Sequence, residues 1–140
     1  MIFWDSSAIV PLIVDEPSSM AARAVLRQGD TMIVWWGTTI EVWSALCRRT
    51  REGSLSLQDL DRARRALTLL SEAWHEIVPS DILREYADNL LRRHPLAAAD
   101  ALQLAAAMTL ATGRPKGHRF ASLDDRLATA ARGEGFDLVM

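Results

Sequence analysis

A chain of 140 residues, 49% apolar and 24% charged, is long enough for one domain with a core of its own and has the make-up of an ordinary globule. Its single cysteine, Cys47, excludes an internal disulfide framework and suits a reducing, cytoplasmic setting. The formal net charge of −2 argues against a non-specific nucleic-acid coat protein, but not against a nuclease, whose catalytic acids cancel basic binding residues in the sum.

The start, Met1 to Asp5, lacks the basic region of a signal peptide and meets an acid almost at once. Ile2 to Trp4 reads as a first buried strand, and Asp5-Ser6-Ser7 offers N-cap chemistry for a helical turn. The apolar run Ala8 to Val14 is too short to cross a bilayer and is interrupted by Pro11, so no membrane association is expected. Pro17-Ser18-Ser19 opens a second helix with Ala22, Val25 and Leu26 on one face, and Gly29 stops it. Met32 to Trp35 reads as the next strand. Thr38 begins a helix on which Ile40, Trp43, Leu46 and Cys47 share a face, with Cys47 as core filler, and Gly53 closes it.

Ser56 starts another helix, with Leu60, Ala63, Leu67, Leu70 and Trp74 at helical spacing. Glu76-Ile77-Val78 is a weaker strand ended by Pro79. Ile82, Tyr86 and Leu90 mark a helix whose last turn carries Arg92 and Arg93, where cations suit the negative end of the dipole. After His94-Pro95 comes an Ala-rich helix, apolar on almost every side and therefore central, with Asp100 and Gln103 inside it. Arg119 to Ala121 is a short strand, Asp124 to Arg132 a helix, and Phe136 to Val139 a last strand. Short strands alternating with helices, without repeat or linker, indicate one domain over residues 1–140: a three-layer α/β/α sandwich around a short, mainly parallel sheet.

Four acids carry the chemistry, although each has an ordinary structural role open to it. Asp5 could merely cap a helix; Glu41 stands at capping-box spacing from Thr38; Asp100 falls in a first turn; Asp124 sits beside Ser122 and Asp125 in another box-like pattern. Jointly they say more. In a parallel sheet the carboxyl ends of all strands lie on one edge, and sites form in the crevice there. Asp5 and Asp124 follow strands, Glu41 follows one by a short loop, and Asp100 is expected to be buried by its apolar helix. Like charges converging there must protonate or bind cations, since two of them about 4 Å apart repel by roughly 4 kcal/mol at an effective dielectric near 20. All-oxygen ligands favour Mg²⁺ or Mn²⁺ over zinc, and a hard cation held by carboxylates suits phosphoryl transfer.

Four blocks, in order and with family-like separations, carry a resemblance. MIFWDSSAIVPLIVDEPSS, TTIEVWSALCRR, LAAADALQLAAA and FASLDDRLATAARGEGFDLV resemble the acid-bearing blocks of PIN-domain proteins of the VapC toxin type, from bacterial type II toxin–antitoxin modules. The resemblance places the acids at Asp5, Glu41, Asp100 and Asp124, with Asp124 preferred over the adjacent Asp125. It implies a magnesium-dependent endoribonuclease (Mn²⁺ able to substitute) that cuts tRNA or rRNA, a cognate VapB-like antitoxin and a homodimer. It makes Ser7 and Ser122 hydroxyls that orient the acids or the water, unless they are plain caps. Asp5 and Asp100 are expected to ligate the cation directly, Glu41 and Asp124 directly or through water, with a metal-activated water as nucleophile and a 5′-phosphate product.

Arg48, Arg49 and Arg51, and Arg114, Lys116 and Arg119, could hold RNA phosphates or be solvated faces. Of Trp35 and Trp36, at least one is expected in the core, although either could stack on a base. His75, His94 and His118 form no paired pattern. Two rivals remain. A phosphatase of the haloacid-dehalogenase type also puts an aspartate after its first strand, but needs an acid where Ser7 stands and a well-placed lysine. A non-catalytic PIN-like module would only bind RNA or a partner.

Overall fold

The computed structural model describes all of residues 1–140. The short apolar runs form strands and the amphipathic segments between them helices. In chain order these are β1 (Ile2–Trp4), α1 (Ser6–Ile13), α2 (Ser19–Leu26), β2 (Met32–Trp35), α3 (Thr38–Arg51), α4 (Leu57–Ser71), β3 (His75–Ile77), α5 (Asp81–Arg93), α6 (Ala98–Leu110), β4 (Arg119–Ala121), α7 (Asp125–Glu134) and β5 (Asp137–Leu138). The strands make one sheet of order β3-β2-β1-β4-β5, and every pairing in it is parallel. The expected sheet was mainly parallel; the observed one is wholly so.

Strand side chains alternate between two cores, one on each face. Ile2, Trp4, Met32, Val34 and Ala121 point toward the layer of α1 to α4; Phe3, Ile33, Trp35 and Phe120 point toward α5 to α7. A strand buried on both faces must be apolar at every position, which is why these runs do not alternate in the sequence. On the second face Phe120 packs between Phe3 and Phe136, with ring centroids 5.4 and 5.6 Å apart. The Ala-rich α6 lies against α5 and the sheet, with Ala101 and Leu104 to Ala107 wholly buried. Its small side chains let neighbouring backbones approach closely.

Capping fixes where helices begin. Ser56 accepts from the Asp59 backbone N–H at 3.0 Å and Ser80 from that of Leu83 at 3.1 Å. The chain leaves α7 through Gly135, whose φ of 109° no β-carbon tolerates well. The helix opened by Asp5 runs on through Pro11, beyond the single turn expected.

Two helices face the core with a different phase from the one the apolar residues suggest. In α3 the buried positions are Thr38, Val42 and Leu46, while Ile40 is 69% exposed and Cys47 only half-buried. In α5 they are Leu83, Ala87 and Leu90, leaving Ile82 on the surface. In α3 the buried face runs Thr38, Val42 and Leu46, and Thr38 lies within 3.2 Å of the Gln103 amide nitrogen on α6. In α5 the small Ala87 faces the close approach of α6, a place Ile82 could not fill.

Candidate active site

The chain builds the sheet outward from β1, first through β2 to β3, then back across to β4 and on to β5. The strand order therefore reverses between β1 and β4, and a crevice opens there at the carboxyl ends. Asp5 directly follows β1, Ser122 directly follows β4, and Asp124 comes two residues later. The first turns of α3 and α6 add Glu41 and Asp100. Asp5 and Asp124 are themselves the N-caps of α1 and α7. Each acid thus sits at a helix N-terminus, where the backbone dipole favours negative charge.

All four line one cleft of about 560 Å³, together with Ser6, Ser7, Glu16, Arg48 and Arg49. Asp5 is only 3% exposed. Its Oδ2 accepts from the Ser7 hydroxyl, from the Ser7 backbone N–H at 3.2 Å and from the Ser122 hydroxyl at 2.9 Å. The same two hydroxyls accept backbone N–H groups from the β4–α7 turn, Leu123 to Ser7 at 2.8 Å and Asp124 to Ser122 at 3.1 Å. Ser7 and Ser122 therefore tie the two turns together around one carboxylate oxygen. Glu41 is held likewise by one oxygen: its Oε2 accepts from Ser6 Oγ at 2.9 Å and Gln103 Nε2 at 3.0 Å. Asp124 spends Oδ1 on the Leu127 N–H at 2.8 Å.

Burial and mutual repulsion raise three of these acids. Asp5 is pushed up to about 6, mainly by loss of water; the Ser7 and Ser122 hydroxyls oppose this and the Glu41 charge adds to it. Glu41 is raised by burial against the pull of Gln103 and Ser6, with the Asp100 charge adding. Asp100 is raised by burial and by Asp124, while Arg126 opposes. The repulsion thus runs from acid to acid across the cleft, and a proton or a cation relieves it. The donors are oxygens and no histidine or cysteine lines the cleft, which fits a hard cation. No three acidic, histidine or cysteine side chains close into a finished cage.

Several expectations need correcting. Asp100 is half-buried rather than buried, and the polar residue of its helix that is fully buried is Gln103. Thr38 and Glu41 form no capping box, because Gly37 is the N-cap of α3 and no side chain caps it. Arg48 and Arg49 line the cleft, though Arg49 is paired with Glu16 at 2.7 Å; Arg51 does not line it. Arg114, Lys116 and Arg119 precede or begin β4 and so lie at the opposite edge of the sheet, where Arg119 is bound to Asp30 at 3.1 Å. Asp125 lies outside the cleft, beside His94 and Pro95. Trp35 is core and Trp36 is 57% exposed. Ser7 occupies the position where a haloacid-dehalogenase-type phosphatase needs its second acid, and the sole lysine is remote.

Ser6, Thr38, Glu16 and Gln103 are site residues that the sequence reading missed. Only Gln103 left a signal, as a lone amide three residues after Asp100 on an otherwise apolar helix.

The PIN domain family model matches residues 2–133. Ribonuclease VapC45 of Mycobacterium tuberculosis is 32% identical over 135 residues, covering 96% of this chain and 92% of its own. Among solved structures, VapC20 of Mycobacterium tuberculosis, a sarcin–ricin loop cleaving toxin, superposes with a TM-score of 0.71 at 18% identity, over 93% of this chain and 95% of its own. VapBC2 of Rickettsia felis, solved bound to a DNA fragment from its promoter, gives a TM-score of 0.68 at 12% identity, over 99% of this chain and 98% of the matched one.

Proposed function

From the premise that the chain belongs to the PIN-domain family, we propose that it is a divalent-metal-dependent endoribonuclease and the toxin of a toxin–antitoxin module. The observation that carries this reading is the cleft itself: four carboxylates, brought by four helix N-termini to the sheet's switch point, with Arg48 and Arg49 on the same wall. A 32%-identical relative named a ribonuclease supports the reaction class.

Asp5 and Asp100 are the residues that would hold the cation, with Glu41 and Asp124 completing its surroundings directly or through water. When bound, Mg²⁺ or Mn²⁺ supplies neutralisation of charge on a scissile phosphate and makes water acidic enough to be a nucleophile at neutral pH. The protein's own part is to orient. Ser7 and Ser122 fix Asp5 Oδ2, and the α7 cap fixes Asp124 Oδ1, so the second oxygen of each acid is left free for the cleft. Arg48, on the cleft wall and without an ion-pair partner, is positioned for an RNA phosphate. The nucleophile on this reading is a water that the cation would acidify, so the products would carry 5′-phosphates rather than 2′,3′-cyclic ends.

On this reading the substrate is a folded RNA of the tRNA or rRNA class, met in the cytoplasm, and a cognate VapB-like antitoxin covers the cleft. Support for the partner comes from the fold shared with VapBC2 of Rickettsia felis. A homodimer is supported by apolar residues left exposed at the sheet's carboxyl edge, Trp36, Ile40, Val78 and Ile82.

The test is to incubate the protein, freed of antitoxin, with total bacterial RNA and Mg²⁺ or Mn²⁺, and to map the fragment ends. Discrete cuts with 5′-phosphates are expected, lost in EDTA and reduced at least about a hundredfold by Asp100→Asn. Cutting that survives Asp100→Asn would put the active site elsewhere. RNA binding that persists in EDTA and in an Asp5→Asn/Asp100→Asn double variant, without cleavage by the wild type, would instead favour a binding-only module.

A further inference from the structure

Gln103 is 0% exposed on an Ala-rich helix buried along most of its length, yet its amide is not satisfied by that burial. Its Nε2 lies 2.6 Å from Ser6 Oγ, 3.0 Å from Glu41 Oε2 and 3.2 Å from Thr38 Oγ1, three oxygens for two hydrogens. Its Oε1 is buried with no partner at all. A fold that needed only volume here would use leucine or methionine, which fill the same space and strand no carbonyl. The amide therefore has another use, and the geometry identifies it.

Glu41 stands on α3, Ser6 on α1 and Gln103 on α6, so this one side chain joins the helices that deliver three of the four acids. The Ser6 hydroxyl donates its own hydrogen to Glu41 Oε2 and accepts from Gln103. Glu41 Oε2 thereby receives two hydrogen bonds from fixed donors, and Oε1 is left as the oxygen free to face the cleft.

We infer that Gln103 is a positioning residue: with Ser6 it clamps Glu41 by a single oxygen and presents the other to a divalent cation or its water. This rests on the metal-dependent reading proposed above. A carboxylate held in this way is pre-oriented, so the cation does not have to order it on arrival.

The experiment is a Mn²⁺ titration followed by electron paramagnetic resonance on the full-length protein, run beside thermal unfolding without metal. Five proteins are compared: the wild type, Gln103→Met, Glu41→Gln, the Gln103→Met/Glu41→Gln double variant and Ser6→Ala. Gln103→Met is expected to weaken Mn²⁺ binding three- to tenfold while its metal-free midpoint stays equal to the wild type's or rises. The double variant is expected to bind no more weakly than Glu41→Gln alone, because the amide acts through that carboxylate. Ser6→Ala, which alters no core volume, should weaken binding in the same direction and by less.

Equal Mn²⁺ affinity in the wild type and Gln103→Met overturns the inference while leaving the metal reading intact. A lowered midpoint with unchanged affinity makes Gln103 a packing residue and overturns it too. Failure of the wild type to bind Mn²⁺ at all removes the metal reading, and this inference with it.

Discussion

At Asp5 the needs of folding and of the site conflict. Its carboxyl is 3% exposed and pushed up to about 6, so ionising it costs the folded state more than the unfolded one. Because the folded value lies above the ordinary 3.8, the stabilising contribution is fully present below about pH 4 and is lost as pH rises through about 6. The metal-free protein should therefore be less stable at pH 7.5 than at pH 5, by roughly 1.4 kcal/mol from this group alone. Other groups titrate in the same window, so the comparison that isolates Asp5 is with Asp5→Asn. In urea unfolding without metal, the variant's margin over the wild type should widen between pH 5 and pH 7.5. Saturating Mg²⁺ should shrink the gap, since only the carboxylate gains from the cation. A gap that does not change with pH would mean that the carboxyl is already comfortable as an anion, through its two serine hydroxyls.

Among the elements, α7 shows how one residue serves fold and site together. Asp124 caps the helix through Oδ1 and reaches the cleft as one of its four acids. The two roles separate by substitution. Asp124→Ser retains an N-cap acceptor and removes the carboxylate; Asp124→Ala removes both. Cleavage should fall at least about tenfold in either, while urea unfolding should cost about 1 kcal/mol in Asp124→Ala and only a few tenths in Asp124→Ser. Equal destabilisation by the two would show that the cap contributes nothing. The elements also show what the sequence can and cannot disclose. β1 with Asp5 and β4 with Asp124 were legible, since a strand that ends on an acid before a helix is a local pattern. The phase of α3 was not legible: its buried face begins at Thr38, which meets Gln103 on α6, a residue far away in the chain. The half-exposed Asp100 beside the buried Gln103 was misread for a related reason. Hydropathy treats both as polar intrusions, and only the facing helices decide which one meets solvent.

For the whole molecule, the parallel sheet turns a list of acids into a site, because it sends every strand's carboxyl end to one edge. The convergence of Asp5, Glu41, Asp100 and Asp124 follows from that topology, and so was inferable before any contact was known. The pattern of exposed apolar residues on the same edge was not inferable. Strand register sets Trp35 beside Ile77, which makes Trp36 and Val78 neighbours just past the strand ends. Ile40 lies four residues after Trp36 and Ile82 four after Val78, each in the opening turns of its helix. All four are between 57% and 69% exposed. Isolated surface leucines need no explanation, but an aromatic and three β-branched residues gathered at one edge do. Burial against a second copy would remove them from water and set two acid clefts in one assembly. The wild type should then elute as a dimer in size-exclusion chromatography with light scattering at micromolar concentration. An Ile40→Glu/Ile82→Glu variant should elute as a monomer, with its metal-free unfolding midpoint little changed once extrapolated to low concentration, because neither side chain is part of the core. If the wild type is itself monomeric and only an added antitoxin protects the patch from solvent, the surface belongs to that partner, and the two clefts work apart.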